Sequence, residues 1–218
     1  ISSGDSVLLP VIWTKEGKIV AEGAGTLYLC ATPIGNLDDL SFRAVAILKT
    51  VSLIAAEDTR HTRKLTSRFD IHCPLTSYHE HNKVRKGPEL LEKLRAGQDV
   101  ALVSDAGMPG ISDPGEDLVR LAVQAGITVT PIPGPCAAVT ALTASALPTG
   151  SFVFAGFLPK QASARRERLL VLRGYPETLI FYESPHQLLR TLEELQAVLG
   201  DRQAVIGREL TKLHEEFR

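Results

Sequence analysis

The sequence lacks the features that would place it quickly in several protein classes. Its three cysteines include no Cys-X-X-Cys spacing, so we expect neither a disulfide framework nor a thiolate zinc site. No apolar run approaches the ~20 residues that a membrane span requires. The apolar segment 8–13 follows no basic stretch and contains a proline, which argues against a signal peptide. We therefore expect a cytoplasmic protein with no membrane partner.

A strong charge of either sign is also missing. The formal net charge is −1, with 44% hydrophobic and 22% charged residues, over a chain of 218 residues. This composition is typical of an ordinary globular protein. A protein that binds nucleic acid through its bulk charge would be basic. Any nucleic-acid contact must therefore come from local basic patches.

Several sequence motifs with a known mechanism are absent as well. No strand leads into Gly-X-Gly-X-X-Gly, and there is neither a phosphate-binding P-loop nor a Gly-X-Ser-X-Gly elbow. These absences argue against a Rossmann dinucleotide site, a P-loop nucleotidase and a serine hydrolase. His72, Cys73, His79 and His81 lie close together in sequence, but their spacing fits no tight zinc pattern. We predict no metal.

What is present is a regular alternation of short apolar strands with amphipathic helices. The predicted strands of the first part of the chain are 26–31, 51–56, one within 74–82, 100–104 and 127–133. Such alternation predicts an α/β fold with a mostly parallel sheet. We predict two α/β domains, 25–147 and 148–218, after an unassigned extension, 1–24. A final strand is predicted at 203–207, and we expect the second domain to continue beyond Arg218.

The chain is organised around a glycine-rich loop at 104–115, SDAGMPGISDPG. Three glycines and two prolines make this loop shaped and stiff, and Asp113 followed by Pro114 is typical of a helix start. The loop holds no lysine or arginine, so it suits a cationic or zwitterionic ligand better than a phosphate. The polar loops TPIGN, EDTR, YHEHN and PGPCA also follow predicted strands. In parallel sheets ligands bind at that edge, so we expect these loops to converge on one site.

Two segments are locally basic although the chain is not. In the predicted helix 59–68, Arg60, Arg63 and Lys64 share one face, and a second cluster occupies 160–173. Most charged helix faces are simply solvated. Two such patches in a near-neutral chain favour a phosphate-backbone partner. The SYHEHN segment adds Tyr78 and histidines that could stack on an unpaired base.

Taken together, these stretches resemble a known family. The set TLYLCATPIGNLDDLSFRA, AAEDTRHTRKL, SYHEHN, VSDAGMPGISDPG, PIPGPCA, FAGFLP, FYESPHQL and RELTKLHEE is similar to the bacterial ribosomal RNA small subunit methyltransferase I family of the tetrapyrrole methylase superfamily. The resemblance implies two α/β domains with S-adenosylmethionine in the cleft between them, and a homodimer. It further implies 2′-O-methylation of a cytidine ribose in the decoding region of 16S rRNA, within the small ribosomal subunit.

The same resemblance implies roles for individual residues. The implied cofactor contacts are Pro33, Val103, Ser104, Asp105, Met108, Cys136, Ala137, Tyr182 and Gly207. The candidate RNA contacts are Arg60, Arg63, Lys64, His79, His81, Lys160, Arg165 and Arg166.

A ribose hydroxyl is a weak acid, so a base or a nearby cation would help the reaction. The catalytic candidates are Glu183 and Asp58, followed by Lys212 and Glu209. Each also has a structural interpretation: Glu57-Asp58 and Glu183-Ser184 as helix starts, and Glu209 with Lys212 as a surface pair.

Two other functions stay open on the sequence alone. A tetrapyrrole C-methyltransferase of the same superfamily would share the cofactor loop. A non-catalytic ribosome-assembly factor could use the same fold to hold RNA. The basic segments and the YHEHN loop favour RNA over a porphyrin-type substrate.

Overall fold

The computed structural model describes residues 23–218. The predicted extension 1–24 and the apolar segment 8–13 therefore lie almost entirely outside the described residues. The helices and strands, in chain order, are β1 Thr26–Cys30, α1 Phe42–Thr50, β2 Leu53–Ala56, α2 Thr59–Arg68, β3 Leu75–Ser77, α3 Lys83–Arg95, β4 Val100–Val103, α4 Gly115–Gln124, β5 Thr128–Ile132, α5 Ala137–Ala144, β6 Phe152–Phe157, α6 Ala162–Leu172, β7 Thr178–Tyr182, α7 Leu188–Leu199, β8 Gly207–Arg208 and β9 Glu216–Phe217.

The first five strands form one sheet in the order β3-β2-β4-β1-β5. Every pairing in it is parallel, with Leu27 opposite Val100 and Leu53 also opposite Val100 on the other side. The central strand β4 is buried along its whole length, as its unbroken apolar sequence predicts. The predicted α/β fold with a parallel sheet is confirmed.

Helices cover both faces of this sheet. On one face Leu48 of α1 and Leu65 of α2 pack in a buried cluster with Ile54. On the other face the leucines of α3 and α4, including Leu94 and Leu118, pack in a second buried cluster. Because both faces are covered, the polar loops that leave the strands can emerge only at the ends of the sheet.

A second, smaller unit follows Phe152. Strands β6 and β7 pair in parallel, and α6 and α7 pack beside them around Leu169, Leu172 and Val198. β8 and β9 form a short antiparallel pair. The division of the chain into domains at residue 147 stays a prediction, although the two sheets lie on either side of it.

The predicted strand at 203–207 is wrong except for its last residue. Only Gly207 of that run pairs, and it does so with Phe217 in the β8–β9 hairpin. The apolar residues Val205 and Ile206 gave the strand pattern. Ile206 exchanges backbone hydrogen bonds of 2.8 and 3.0 Å with Arg218, next to this hairpin.

The helix predicted at 59–68 is confirmed with the same bounds, as α2. α4 begins at Gly115 with Pro114 at the N-cap position, one residue later than the Asp113-Pro114 helix start that the sequence predicts. The Asp113 Oδ1 nevertheless accepts the hydrogen bond from the Gly115 N–H at 2.7 Å. Asn82 lies at the N-cap position of α3, but its side chain accepts the hydrogen bond from the His79 N–H at 2.9 Å and does not cap the helix. Within residues 23–218 no helix is long and apolar enough to cross a bilayer.

Candidate active site

A cavity of about 1340 Å³ opens at the carboxyl ends of the parallel strands. Four of the polar loops reach it, through Ile34, Glu57, Asp105 and Cys136. The second unit closes the opposite side with β7, α7 and the segment that leads into β8. The predicted convergence of loops is therefore confirmed for TPIGN, EDTR, SDAGMPG and PGPCA.

The glycine-rich loop is held in place by the turn that follows β1. The backbone groups of Thr32 and Gly107 exchange two hydrogen bonds of 3.0 Å each, and the Thr32 hydroxyl donates to the Ser104 carbonyl at 3.0 Å. Gly107 and Gly110 have φ values of +87° and +86°, a region that favours glycine. The loop is thus fixed by its backbone, as its glycine and proline content predicts.

Asp113 shapes the far end of this loop. Its Oδ1 accepts hydrogen bonds from the N–H groups of Gly110 and Gly115, at 2.8 and 2.7 Å. Its Oδ2 is buried and has no hydrogen-bond partner among the residues that the structure describes. Burial raises the pKa of this carboxyl above its usual range, and the two backbone hydrogen bonds oppose the shift.

Asp105 joins the glycine-rich loop to the EDTR segment. Its Oδ1 accepts a hydrogen bond from the Asp58 N–H at 2.9 Å, and the Asp105 N–H lowers the pKa of the neighbouring Glu57 carboxyl. Burial raises the pKa of Glu57, and the nearby charges of Asp105 and Asp113 raise it further. Two loops from neighbouring strands are therefore fastened together by the Asp105 carboxylate at the edge of the cavity.

The catalytic candidates from the sequence are each bound to a structural partner. Asp58 lies next to the cavity lining but not in it; it accepts the Arg60 N–H at the start of α2 and an Arg60 guanidinium N–H at 2.6 Å. These hydrogen bonds hold the pKa of Asp58 well below its usual range. Lys212 also lies outside the lining and pairs with Glu209 at 3.0 Å.

Glu183 does line the cavity. Both of its oxygens are engaged, however: Oε1 accepts from the Ser184 N–H and Oε2 from the Thr191 hydroxyl, each at 2.7 Å. The catalytic roles of Glu183, Asp58 and Lys212 stay predictions. Asp58 and Lys212 serve the structural roles that the sequence offered as alternatives, whereas Glu183 lies before the start of α7 at Leu188 and does not cap it.

Most of the implied cofactor residues come together around the cavity. Seven of the nine line it, namely Ser104, Asp105, Met108, Cys136, Ala137, Tyr182 and Gly207. Val103 is buried within β4, and Pro33 lies beside the lining residue Ile34. Tyr182 spans the two units, because its hydroxyl accepts a hydrogen bond from the Ala138 N–H of α5 at 3.1 Å.

The candidate RNA contacts divide into exposed and buried groups. The exposed ones are Arg60, Arg63, Lys64, His81, Lys160 and Arg166. Arg165 must be withdrawn, because its side chain is buried and paired with Glu194 through two N–H groups. Tyr78 is 1% exposed and cannot stack on a base. His79 is half-buried beside Asn82.

Sequence reasoning underrated Glu57, which it treated only as part of a helix start. In the structure Asp58 caps α2, and Glu57 is the carboxylate of that pair that faces the cavity. The available signal was its position as the first residue after a buried strand.

The part of the chain that the structure describes contains no group of three or more His, Cys, Asp or Glu side chains that could hold a metal ion.

Comparison with known proteins identifies the family. The family model described as Tetrapyrrole (Corrin/Porphyrin) Methylases matches residues 26–218. Ribosomal RNA small subunit methyltransferase I of Halalkalibacterium halodurans is 58% identical over 204 residues, which are 94% of this chain and 71% of that protein. The protein of the same name from Escherichia coli O157:H7 is 52% identical over 92% of this chain and 71% of its own length.

The chain belongs to the ribosomal RNA small subunit methyltransferase I family. It is accordingly an enzyme, an S-adenosylmethionine-dependent methyltransferase. Solved structures support the fold. The methyltransferase CobJ superimposes with a TM-score of 0.68 at 20% identity, over 89% of this chain and 85% of that one. Uroporphyrin-III C-methyltransferase from Thermus thermophilus, solved with S-adenosylhomocysteine, gives a TM-score of 0.62 at 19% identity, over 89% and 87%.

The cavity of this family member fits the chemistry of its cofactor. S-adenosylmethionine carries a sulfonium, an ammonium and a carboxylate. Asp105 supplies negative charge at one edge, and the start of α5 supplies backbone N–H groups that suit an anion. Gly107 in the loop has a φ of +87°, a backbone conformation that side chains rarely adopt, so this turn favours glycine.

Proposed function

We propose that the enzyme transfers a methyl group to the 2′-oxygen of a cytidine ribose in the decoding region of 16S rRNA. The observation that carries this proposal is the identity of 50–58% to proteins named for the small-subunit ribosomal RNA, over about nine-tenths of the chain. The solved tetrapyrrole enzymes with the same fold are only 15–20% identical. The sequence relationship therefore favours RNA as the substrate.

The arrangement of charge supports an RNA substrate. The cavity edge is acidic and suits a cationic cofactor. Exposed cations begin directly beside it, because α2 starts one residue after Asp58 and carries Arg60, Arg63 and Lys64 on its surface. These side chains can neutralise phosphates while a ribose enters the cavity. A second set of exposed cations, including Lys160 and Arg166, lies at the start of α6.

Bound S-adenosylmethionine supplies a methyl group on a sulfonium sulfur, which is already an activated donor. The protein can then contribute mainly by alignment, by exclusion of water and by removal of a proton. In this proposal Ser104, Asp105, Met108, Cys136 and Ala137 hold the donor on the side of the five-stranded sheet. Tyr182 and Gly207 hold it from the second unit.

We further propose that the substrate is the small ribosomal subunit and that the enzyme acts as a homodimer in the cytoplasm, where ribosomes are assembled. Phe42 and Leu213 are 96% and 93% exposed, and such apolar side chains support association with a second copy. Light scattering of the purified protein should give twice the monomer mass. A monomer at all concentrations would contradict this part of the proposal.

One labelling experiment tests the substrate. The protein is incubated with S-adenosylmethionine that carries a labelled methyl group, and with small subunits, naked 16S rRNA or a uroporphyrinogen in separate reactions. We expect label in the small subunits, located at one 2′-O-methylcytidine after nuclease digestion. Label in the uroporphyrinogen would instead establish a tetrapyrrole methyltransferase. Cofactor binding without label in any substrate would favour a non-catalytic assembly factor.

A further inference from the structure

Among residues 23–218, seven acidic side chains line the cavity, and their partners distinguish them. They are Glu57, Asp105, Asp113, Glu177, Glu183, Asp201 and Glu209. Asp113 accepts two backbone N–H groups, and Glu183 accepts a backbone N–H and a hydroxyl. Glu209 pairs with Lys212. These three carboxylates are engaged in holding the fold.

The four remaining carboxylates differ in where they lie relative to the parallel sheet. Glu177 precedes β7 and Asp201 follows α7, so both lie away from the carboxyl ends of the parallel strands. Asp105 accepts the Asp58 N–H and is part of the implied cofactor loop. Glu57 is the first residue after β2. It lies two residues before the start of α2, the helix that carries the exposed cations. Within residues 23–218 it forms no salt bridge.

We propose that Glu57 is the catalytic base, and that its carboxylate lies between the cofactor loop and the phosphate-binding cations, where the ribose hydroxyl enters. This inference rests on the proposed function, since it requires an RNA ribose as the acceptor. It differs from the sequence expectation, which placed Asp58 and Glu183 in this role. Asp58 is neutralised by Arg60, and Glu183 is fixed at the entry to α7 by Ser184 and Thr191.

The proton transfer balances without any further reagent. A Glu57 carboxylate oxygen takes the proton of the 2′-hydroxyl. The electron pair released on the 2′-oxygen forms the new bond to the methyl carbon, and the pair of the broken carbon–sulfur bond returns to sulfur. The positive charge of the sulfonium is thereby lost, and the negative charge of Glu57 is lost with it. Glu57 then releases the proton to solvent.

The groups that face Glu57 suit a base. Burial, Asp105 and Asp113 all raise its pKa above the ordinary value of 4.5, while His79 and the Asp105 N–H oppose them. A carboxylate with a raised pKa is a stronger base than an ordinary glutamate. The same shift has a consequence for folding. Because the folded state holds the proton more tightly than the unfolded chain, ionisation of Glu57 destabilises the fold as the pH rises through that pKa.

The test compares Glu57→Gln with the wild type and with Glu177→Gln, a matched change of another carboxyl in the cavity lining. Single-turnover methyl transfer to small subunits is measured from acidic to neutral pH. We expect Glu57→Gln to lose about 10²- to 10⁴-fold in rate, while Glu177→Gln keeps the wild-type rate. The wild-type rate should fall as the pH drops through the Glu57 pKa, and the residual rate of Glu57→Gln should not follow that titration.

Two measurements without turnover accompany the rates. The dissociation constant of S-adenosylhomocysteine, by calorimetry, should be unchanged in Glu57→Gln. The free energy of unfolding of Glu57→Gln in urea, relative to that of the wild type, should increase as the pH rises from acidic to neutral. A wild-type rate in Glu57→Gln, or loss of cofactor binding, would overturn the assignment of Glu57 alone. Absence of label in RNA with the wild-type enzyme would overturn both this inference and the proposed function.

Discussion

The two sides of the cavity, formed by the five-stranded and the two-stranded sheet, differ in how completely their strands are buried. In the five-stranded sheet every residue of β4 is buried, and helices cover both faces. In the two-stranded sheet no residue of β7 is fully buried, and each is partly exposed. The first side therefore has a closed core, while the second presents a half-covered strand to the cavity.

The loops on the two sides differ in the same way. On the first side the glycine-rich loop is fixed by Thr32, by its own Asp113 and by the contact of Asp105 with Asp58. Between the two sides, the contacts include the Tyr182 hydroxyl with the Ala138 N–H and the Asn36 N–H with the Thr211 hydroxyl. We infer that the first side is a preformed platform for the cofactor and that the second is a wall that can adjust. Mutations on each side can test this difference.

The largest effect is expected from a core truncation on the first side. Leu118 and Leu169 are both 0% exposed and provide a matched pair, one on each side. Leu118→Ala should lower the free energy of unfolding by about 4 kcal/mol, because its fully buried neighbours cannot close the void. Leu169→Ala should cost about 2–3 kcal/mol, because the half-exposed Leu179 and Phe181 around it can shift.

Urea unfolding followed by circular dichroism gives the two free energies, and hydrogen exchange locates the loss. Leu169→Ala should increase exchange in β6, β7 and α7 while β4 stays protected. Equal costs in the two variants, with exchange raised throughout, would mean that the two sides form one cooperative core of uniform packing.

A second prediction concerns the seam between the two sides. A Cβ on Gly35 would stand 2.7 Å from the Leu210 carbonyl oxygen and 2.6 Å from the Lys212 Cγ. Gly35→Ala must therefore displace the turn at 209–212, at a cost of about 1–3 kcal/mol. Because Glu209 and Leu210 line the cavity, affinity for S-adenosylhomocysteine should fall about tenfold, equivalent to ~1.4 kcal/mol.

Gly150→Ala is the control for this substitution, since a Cβ there meets no atom within 4 Å. It should leave both affinity and stability unchanged. If Gly35→Ala binds the cofactor like the wild type, the turn does not help to form the cavity.

The sequence was most informative where local pattern and fold agree. Alternating strands and helices predicted the parallel sheet, and the special residues of 104–115 predicted a fixed loop. Both follow from short-range chemistry: apolar runs bury themselves, and glycine permits the φ values seen at Gly107 and Gly110. The second unit was harder to predict, because an apolar run such as 203–207 reads as a strand whether or not a partner strand lies beside it.

The sequence predicted the location of the candidate site better than the roles of its residues. Asp105, Cys136 and Ala137 lie at the cavity because each follows a strand of the parallel sheet, and the sequence shows that position. Which carboxylate is free depends on contacts between distant segments, and sequence spacing does not reveal them. Arg165 shows the same limit: its neighbours in sequence are exposed, and only the packing of α6 on Glu194 shows that it is buried.

Adjacent arginines on α6 offer a third prediction. Arg165→Ala should lower the melting temperature, because it leaves Glu194 without its buried partner and frees the Pro159 and Lys160 carbonyls that Arg165 binds at 3.3 and 3.2 Å. Arg166 is exposed, so Arg166→Ala should keep the melting temperature. It should instead reduce the slope of log affinity for 16S rRNA against log salt by about 1.

Calorimetry and filter binding measure the two quantities on the same preparations. The assignment of Arg165 to the fold would be wrong if its alanine variant melted like the wild type and lost RNA affinity. Arg63→Ala on α2 is the comparison from the other side, where a similar loss of slope would show that both sides contact the phosphate backbone.

The smallest effect is expected from a single bond across the cavity. Tyr182→Phe removes the hydroxyl that accepts the Ala138 N–H, and a bond of this kind contributes about 0.5–1.5 kcal/mol. Stability should fall within that range, and affinity for S-adenosylhomocysteine should fall several-fold because the wall is less firmly joined to the platform. Tyr175→Phe, at a residue that is 43% exposed, is the control. If Tyr182→Phe lowered affinity a hundredfold with stability unchanged, the hydroxyl would be a direct cofactor contact, and the wall would be as preformed as the platform.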